Sequence, residues 1–295
     1  MKPGKTLLVL ILMLAVAAVA ATAAQANPVA HHETKSADQV ARYWTPARMA
    51  NAKPAERIAG KSPQKGKPGG GTTTSSSATE VPLPYPSAEG KVFFTDSGVN
   101  YVCSGSALVS TNESVVWTAG HCVNEGPGSF FTNFMFVPAY RDGAAPYGRF
   151  AASTLMTTSG WRNSGEFGVD EGAAVVSTNE TGQTLTDAVA EISPVFNSVR
   201  NQSYTLYGYP AAGKFNGQRM FACNTAWSRN DTSAIPATMG VPCNMTGGSS
   251  GGGWITASGN LASEVSYGYS SLKNVLFGPH LETEAQQLYQ AAQAP

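Results

Sequence analysis

The stretch Cys243-Asn244-Met245-Thr246-Gly247-Gly248-Ser249-Ser250-Gly251-Gly252-Gly253-Trp254 sets two adjacent serines among five glycines. Glycine permits positive φ and a close approach of the backbone to another group. A serine in such a frame can stand on a tight turn with amide N–H groups turned outward. A hydroxyl beside outward N–H groups is the arrangement of a nucleophile with donors for a developing oxyanion. A flexible Gly/Ser linker has a similar composition, and the chain holds one near residue 70. Linkers avoid Cys and Trp, however, and these two residues close this run.

A base and an acid would be needed to activate such a serine. His121 stands in Trp117-Thr118-Ala119-Gly120-His121-Cys122, after a β-branched run, and Asp170 and Glu171 stand in Gly168-Val169-Asp170-Glu171-Gly172. Thr118-Ala119-Gly120-His121-Cys122 resembles the general-base motif of chymotrypsin-like serine peptidases. The segment from Gly168 to Val176 resembles the family's acid segment, with Gly172 where the family commonly has Ala. The resemblance points to Asp170. Glu171 is the competing carboxylate, and neighbouring side chains on an extended segment point to opposite sides. Gly248-Ser249-Ser250-Gly251-Gly252 matches the family's Gly-x-Ser-Gly-Gly. That match implies Ser250 as nucleophile and the N–H groups of Gly248 and Ser250 as the oxyanion hole. The chain order His, Asp, Ser is also the family's.

The resemblance covers the chain from about Lys91 to the C-terminal helix. It implies an all-β fold of two antiparallel six-stranded β-barrels, about 85–190 and 191–275, with the site in the cleft between them. Ser249 stands where trypsin-type zymogens carry an Asp, and no Ile-Val-Gly-Gly start is present. The match is closer to the secreted microbial branch of the family, which includes the glutamyl endopeptidases. Asn244 occupies the place of a trypsin-like pocket Asp, Ser266-Tyr267-Gly268 resembles the strand that pairs with substrate backbone, and Val265 stands where glutamate-specific relatives place a His. A neutral, small or apolar side chain at the cleaved bond is therefore expected. Two other readings use the same residues. Gly248-x-Ser250-x-Gly252 also fits the nucleophile elbow of an esterase, with Glu264 and His280 following as acid and base, but too little chain follows Ser250 for that fold. A catalytically dead barrel acting as a binding module is the other.

The elements that would position these groups follow from the patterning. From Val81 onward, short β-branched or alternating runs are punctuated by turn residues: Lys91–Thr95, Tyr101–Val109, Ser114–Thr118, Phe134–Val137, Ala173–Val176, Ser203–Tyr207, Met220–Cys223 and Glu264–Tyr267. Many short strands without intervening helices imply an antiparallel sandwich or barrel. One helix is predicted, over Glu282–Gln293, with acids in its first turn. Four cysteines in a chain of this kind imply two disulfides. Sequence proximity favours Cys103–Cys122 and Cys223–Cys243.

Residues 1–26 read as a secretory signal: Lys2 and Lys5, an apolar run from Leu7 to about Ala20, then Ala24-Gln25-Ala26. Residues 27–80 are basic and poor in large apolar residues outside Val40–Pro46, so they are expected to build no core. They end in the low-complexity spacer Lys61–Ser77. Residues 1–80 carry ten Lys and Arg against four Asp and Glu, leaving nine against fifteen in residues 81–295. A basic leader joined to an acidic domain implies a propeptide, residues 27–80, that docks on the peptidase domain, 81–295, through charge. An acidic domain argues against a nucleic-acid partner, no later segment is apolar enough to span a bilayer, and protein or peptide substrates of a monomer are expected. No cofactor or metal is expected. Asn112, Asn179, Asn201, Asn230 and Asn244 each open an Asn-x-Ser/Thr sequon.

Overall fold

The computed structural model describes residues 27–55 and 76–294. The expected signal, residues 1–26, and the spacer from Lys61 to Ser75 lie outside them. Among the described residues no helix is long and apolar enough to cross a membrane.

The leader contributes β1 (Val29–His32), α1 (Ala37–Tyr43), α2 (Pro46–Asn51) and β2 (Lys53–Pro54). The first half of the remaining chain follows as β3 (Thr79–Glu80), β4 (Glu89–Asp96), β5 (Val99–Leu108), β6 (Val115–Ala119), β7 (Thr132–Pro138), β8 (Phe150–Thr157), α3 (Ser159–Ser164), β9 (Glu171–Val176) and α4 (Leu185–Ala188). The second half holds β10 (Ser203–Gly208), β11 (Phe221–Ala226), β12 (Arg229–Asp231), β13 (Thr238–Pro242), β14 (Gly253–Thr256), β15 (Leu261–Glu264), β16 (Tyr267–Tyr269) and β17 (Leu272–Gly278). It ends in α5 (Thr283–Ala292), within the helix read from sequence.

Strands β4, β5, β6, β9, β8 and β7 pair in that order, and β7 pairs back to β4, which closes a six-stranded antiparallel barrel. The alternation of β4 and β7 explains its two-sided burial. Val92, Phe94, Phe134 and Phe136 fill the barrel with Cys103, Val116 and Phe150. Their neighbours Phe93, Met135 and Val137 belong to a second apolar cluster, with Val102, Tyr140 and Tyr209. The second half consists of a sheet ordered β15-β14-β10-β11-β3 and a sheet ordered β12-β13-β17-β16. Their shared core includes Tyr204, Leu206, Met239, Val241 and Trp254.

Seven of the eight expected runs fall on strands. The eighth, Glu264–Tyr267, breaks at Val265-Ser266, where the chain leaves one sheet for the other: the Ser266 N–H donates to Phe277 O in β17 while Val265 bonds Gly251 and Gly252. Strand β8 is absent from the sequence reading because a register shift between Ala152 and Thr154 interrupts its period of two.

The leader corrects one expectation. Residues 27–55 do build core: Val40, Trp44 and Met49 are buried on the outer face of the barrel against Phe93, Val102, Met135 and Val137. Ser36 caps α1 with a capping box to Gln39, and Thr45 caps α2 ahead of Pro46. These caps turn the short apolar run Val40–Pro46 into two helices that aim Trp44 inward. Its ring lies 5.3 Å from Phe93, and its Nε1–H donates to Asn133 O at 2.7 Å. Burying one such ring is worth about 4–6 kcal/mol at roughly 25 cal/mol per Å².

Candidate active site

Two elements of the barrel set His121. Strand β6 ends at Ala119, and residues Gly120–Cys122 form one 3-10 turn that is pinned twice. The Gly120 N–H donates to Asp170 O at 2.9 Å, and Cys122 is bonded to Cys103 of β5. Gly120 has to be glycine here, since an added Cβ would lie 2.8 Å from the Trp161 ring and 2.9 Å from Asp170 Oδ1. A ring nitrogen of His121 and the two disulfide sulfurs lie within 4.8 Å of one another. Both sulfurs being spent in the disulfide, they are not metal ligands.

Asp170 is fully buried at the mouth of β9, and three donors converge on it. Oδ1 accepts the His121 backbone N–H at 2.8 Å. Oδ2 accepts His121 Nδ1–H at 2.7 Å and Ser266 Oγ–H at 2.5 Å. In a neutral imidazole, a carboxylate that only accepts places the ring hydrogen on Nδ1 and leaves Nε2 as the acceptor. Nε2 is screened from solvent and makes no hydrogen bond.

Glu171 is buried as well but does not meet His121. Burial, then the nearby carboxyls of Glu264 and Asp170, push its carboxyl well above the ordinary range. Glu264 is raised for the same first reason and accepts Trp117 Nε1–H at 3.0 Å. His280 bonds Glu282 Oε1 at 2.9 Å and Ser198 O at 2.7 Å. It lines a cavity with Gly168 and Glu282 rather than the one beside Ser250. The acid and base that the esterase reading requires are therefore engaged elsewhere.

Ser250 sits on the glycine turn, tied to the first barrel by its own carbonyl, which accepts the Ser104 N–H at 2.7 Å. Gly251 follows at φ +79°, where an added Cβ would strike Thr118 Oγ1 at 2.0 Å and Ser104 O at 2.4 Å. This contact brings the turn against the end of β6, two residues ahead of His121. Gly248 has φ +97°, and its Cβ would lie 2.6 Å from Tyr209 O. The neighbouring Ser249 turns away, its Oγ–H donating to Thr246 O at 2.7 Å. The Gly248 N–H donates to Ala55 O of the leader at 3.0 Å.

A cavity of about 260 Å³ opens beside Ser250. Asn244, Ser266, Tyr267 and Gly268, all named from sequence, line it, and β17 adds Lys273 and Asn274, which sequence reasoning missed. Asn244 Oδ1 accepts the Ala78 N–H at 2.7 Å. Among the described residues strand β16 is the edge of its sheet, so one side of Tyr267-Gly268-Tyr269 has no strand partner there. The second disulfide, Cys223–Cys243, joins β11 to the residue that opens the glycine run. Sequence reasoning also missed the Ser266 hydroxyl as an Asp170 donor. Its signal was the serine of the Ser266-Tyr267-Gly268 match.

No family model and no curated protein matches the sequence. Solved structures do. The protease Anisep from Arthrobacter nicotinovorans is 44% identical, with a TM-score of 0.67, over 71% of this chain and 97% of its own. The thermostable serine protease AL20 from an extremophilic microorganism is 42% identical, with a TM-score of 0.66, over 70% and 97%. A Glu endopeptidase, 20% identical with a TM-score of 0.58 over 76% and 99%, shares the fold. With almost the whole of two serine proteases matched at this identity, the chain belongs to the chymotrypsin-like microbial serine protease family.

Proposed function

We propose that this chain is a secreted serine endopeptidase in which Ser250 is the nucleophile, His121 the general base and then acid, and Asp170 the group that orients the imidazole. The observation that carries this reading is the set of donors on Asp170, which orients the His121 ring through Nδ1 and leaves Nε2 without a hydrogen-bond partner among the described residues. In the first step Ser250 Oγ attacks the substrate carbonyl carbon while its proton passes to Nε2. The oxyanion takes hydrogen bonds from the Gly248 and Ser250 N–H groups. The C–N bond then breaks, Nε2 returns the proton to the leaving amine, and an acyl-Ser250 ester remains. Water deprotonated by Nε2 hydrolyses that ester and restores the serine. Ser266 and Tyr267–Tyr269 at the sheet edge offer backbone for pairing with an extended peptide. Among the described residues no acidic side chain lines the adjacent cavity, which argues for a non-basic residue at the cleaved bond. Two disulfides support a site of action outside the cell.

Fluorophosphonate labelling of the secreted protein followed by peptide mapping tests this assignment. Modification at Ser250 is expected, lost in Ser250→Ala and kept in Ser249→Ala. Labelling confined to Ser249 would overturn it.

A further inference from the structure

We propose that residues 27–55 are an inhibitor built into the chain, held on the barrel by Trp44 and acting through the Ala55 carbonyl, which occupies the Gly248 N–H. This inference rests on the serine protease reading above, because it gives that N–H its meaning as an oxyanion donor. Strand β2 adds to β5 in parallel, with Lys53 opposite Tyr101 and Pro54 opposite Val102. The next residue, Ala55, donates its N–H to Val102 O at 3.0 Å and accepts the Gly248 N–H at 3.0 Å. Its side chain packs in the cluster that contains Cys103 and Cys122, whose sulfurs stand beside the His121 ring. Ala55 of the leader thus occupies a donor that the proposed reaction requires.

The exposure of the site agrees with a covered state. His121 is 3% exposed and Ser250 4%, and Nε2 is shielded although it has no partner. A base that must exchange protons with a substrate and a water needs access to both. The segment is not bound as a substrate would be at the cavity beside Ser250. None of residues 27–55 lines that cavity, and the Ala55 amide is committed to β5.

What holds the segment is apolar burial and backbone pairing. Strand β1 extends the barrel sheet by pairing with β8, Val29 opposite Thr157 through His32 opposite Thr154. Val40, Trp44 and Met49 cover Phe93, Met135 and Val137. Among the described residues no ion pair joins residues 27–55 to the rest of the chain. Close contact is therefore made by apolar side chains, backbone pairing and hydrogen bonds such as Lys35 Nζ–H to Asn133 Oδ1 at 2.7 Å. Beyond residue 75, Ser76 Oγ–H donates to Asn224 O and β3 pairs with β11. A cut between these points leaves residues 27–55 attached by non-covalent contacts alone.

The test starts from the full secreted chain carrying a site for a sequence-specific protease within residues 61–70. The chain is folded, nicked, and the fluorophosphonate labelling rate of Ser250 is followed through a dilution series, with circular dichroism reporting the fold. Labelling of the uncut chain should be slow, and the nicked protein should gain at least ~10-fold in rate once dilution releases the segment. In nicked Trp44→Ala, release should occur at a concentration at least ~30-fold higher, as expected for loss of a buried aromatic anchor. Ala55→Asp, at the end of the segment and outside the helices, should act in the same direction and serves should Trp44→Ala fail to fold. Raising salt from about 0.1 M to 1 M, which shortens the Debye length from about 10 Å to 3 Å, should leave release within ~3-fold. Equal labelling of uncut and released protein would overturn the inhibitor and leave the nucleophile assignment standing. No labelling of a folded, released domain would overturn both. Release driven by salt would place the docking in charge and overturn the roles of Trp44 and Ala55.

Discussion

Asp170 shows how much chemistry one buried carboxylate can set. Three donors reach its two oxygens, and two of them come from His121. Asp170→Asn supplies one acceptor where two are used. If its oxygen keeps the His121 backbone N–H, its NH₂ faces Nδ1 and forces the imidazole hydrogen onto Nε2, which can no longer take the serine proton. We expect kcat to fall by about 10⁴ near neutral pH, measured on a peptide substrate with labelling of Ser250 as the second readout. Glu171→Gln is the matched control. Burial keeps the Glu171 carboxyl protonated far above the usual carboxylate range, so the amide is a neutral replacement of the same shape. It should change kcat by less than about threefold. A larger loss in Glu171→Gln than in Asp170→Asn would reassign the acid.

At the scale of elements, the site depends on where β6 stops. The turn Gly120–Cys122 is one 3-10 turn with no side-chain cap, held to Asp170 by the Gly120 and His121 backbone N–H groups. The Cys103–Cys122 disulfide adds a second hold by tying the turn to β5, the strand that also receives Ala55 and the Ser250 carbonyl. Replacing both cysteines by alanine should cost about 3 kcal/mol of stability through the freed loop, read from the urea midpoint. It should also lower kcat more than it raises KM, since the displaced group is the proposed base rather than the proposed binding edge at β16. A variant destabilised by this amount with unchanged kcat would show that β6 and Asp170 position His121 without the disulfide.

At the scale of the whole molecule, β4 carries two charged residues into the contact between the two halves. Glu89 is buried beside Ser106, near the Gly253 backbone, and burial pushes its carboxyl up to about 8. Lys91 is buried over the Tyr140 ring, donates to Gly217 O at 2.7 Å, and is pushed down to about 7, again by burial. The signs oppose. Between its ordinary value near 4.5 and about 8, Glu89 binds a proton in the folded state that it has lost in the unfolded state, so stability falls as pH rises through this window. Between about 7 and 10.5, Lys91 is neutral when folded and protonated when unfolded, so stability rises with pH there. Urea unfolding of Glu89→Gln at pH 5 and pH 8 separates them. Relative to wild type the variant should gain stability at pH 8, and an equal pH slope in both proteins would remove Glu89 as the titrating group.

The sequence by itself determined what local backbone chemistry can dictate. The glycine run around Ser250 is legible because only glycine accepts the positive φ at Gly248 and Gly251 and the close approach to Tyr209 and Thr118. The pairing Cys103–Cys122 is legible because a short separation keeps the two sulfurs near each other, and the C-terminal helix because its period and acidic first turn are both local. The nomination of Asp170 over Glu171 rested on motif likeness and on the alternation of an extended segment. The structure sets Asp170 against His121 and Glu171 against Glu264. Only the tertiary structure decided what lies across the molecule from each motif. Ser266 meets Asp170 from the second half of the chain, and Ala78, the residue before β3, reaches Asn244. The leader is the clearest case. Its basic composition suggested attachment by charge, yet one run from Val40 to Pro46 was enough to bury Trp44, because the outer face of β4 and β7 presents Phe93, Met135 and Val137 to receive it. Composition averages over a segment, whereas burial depends on the few side chains that a partner surface can accept.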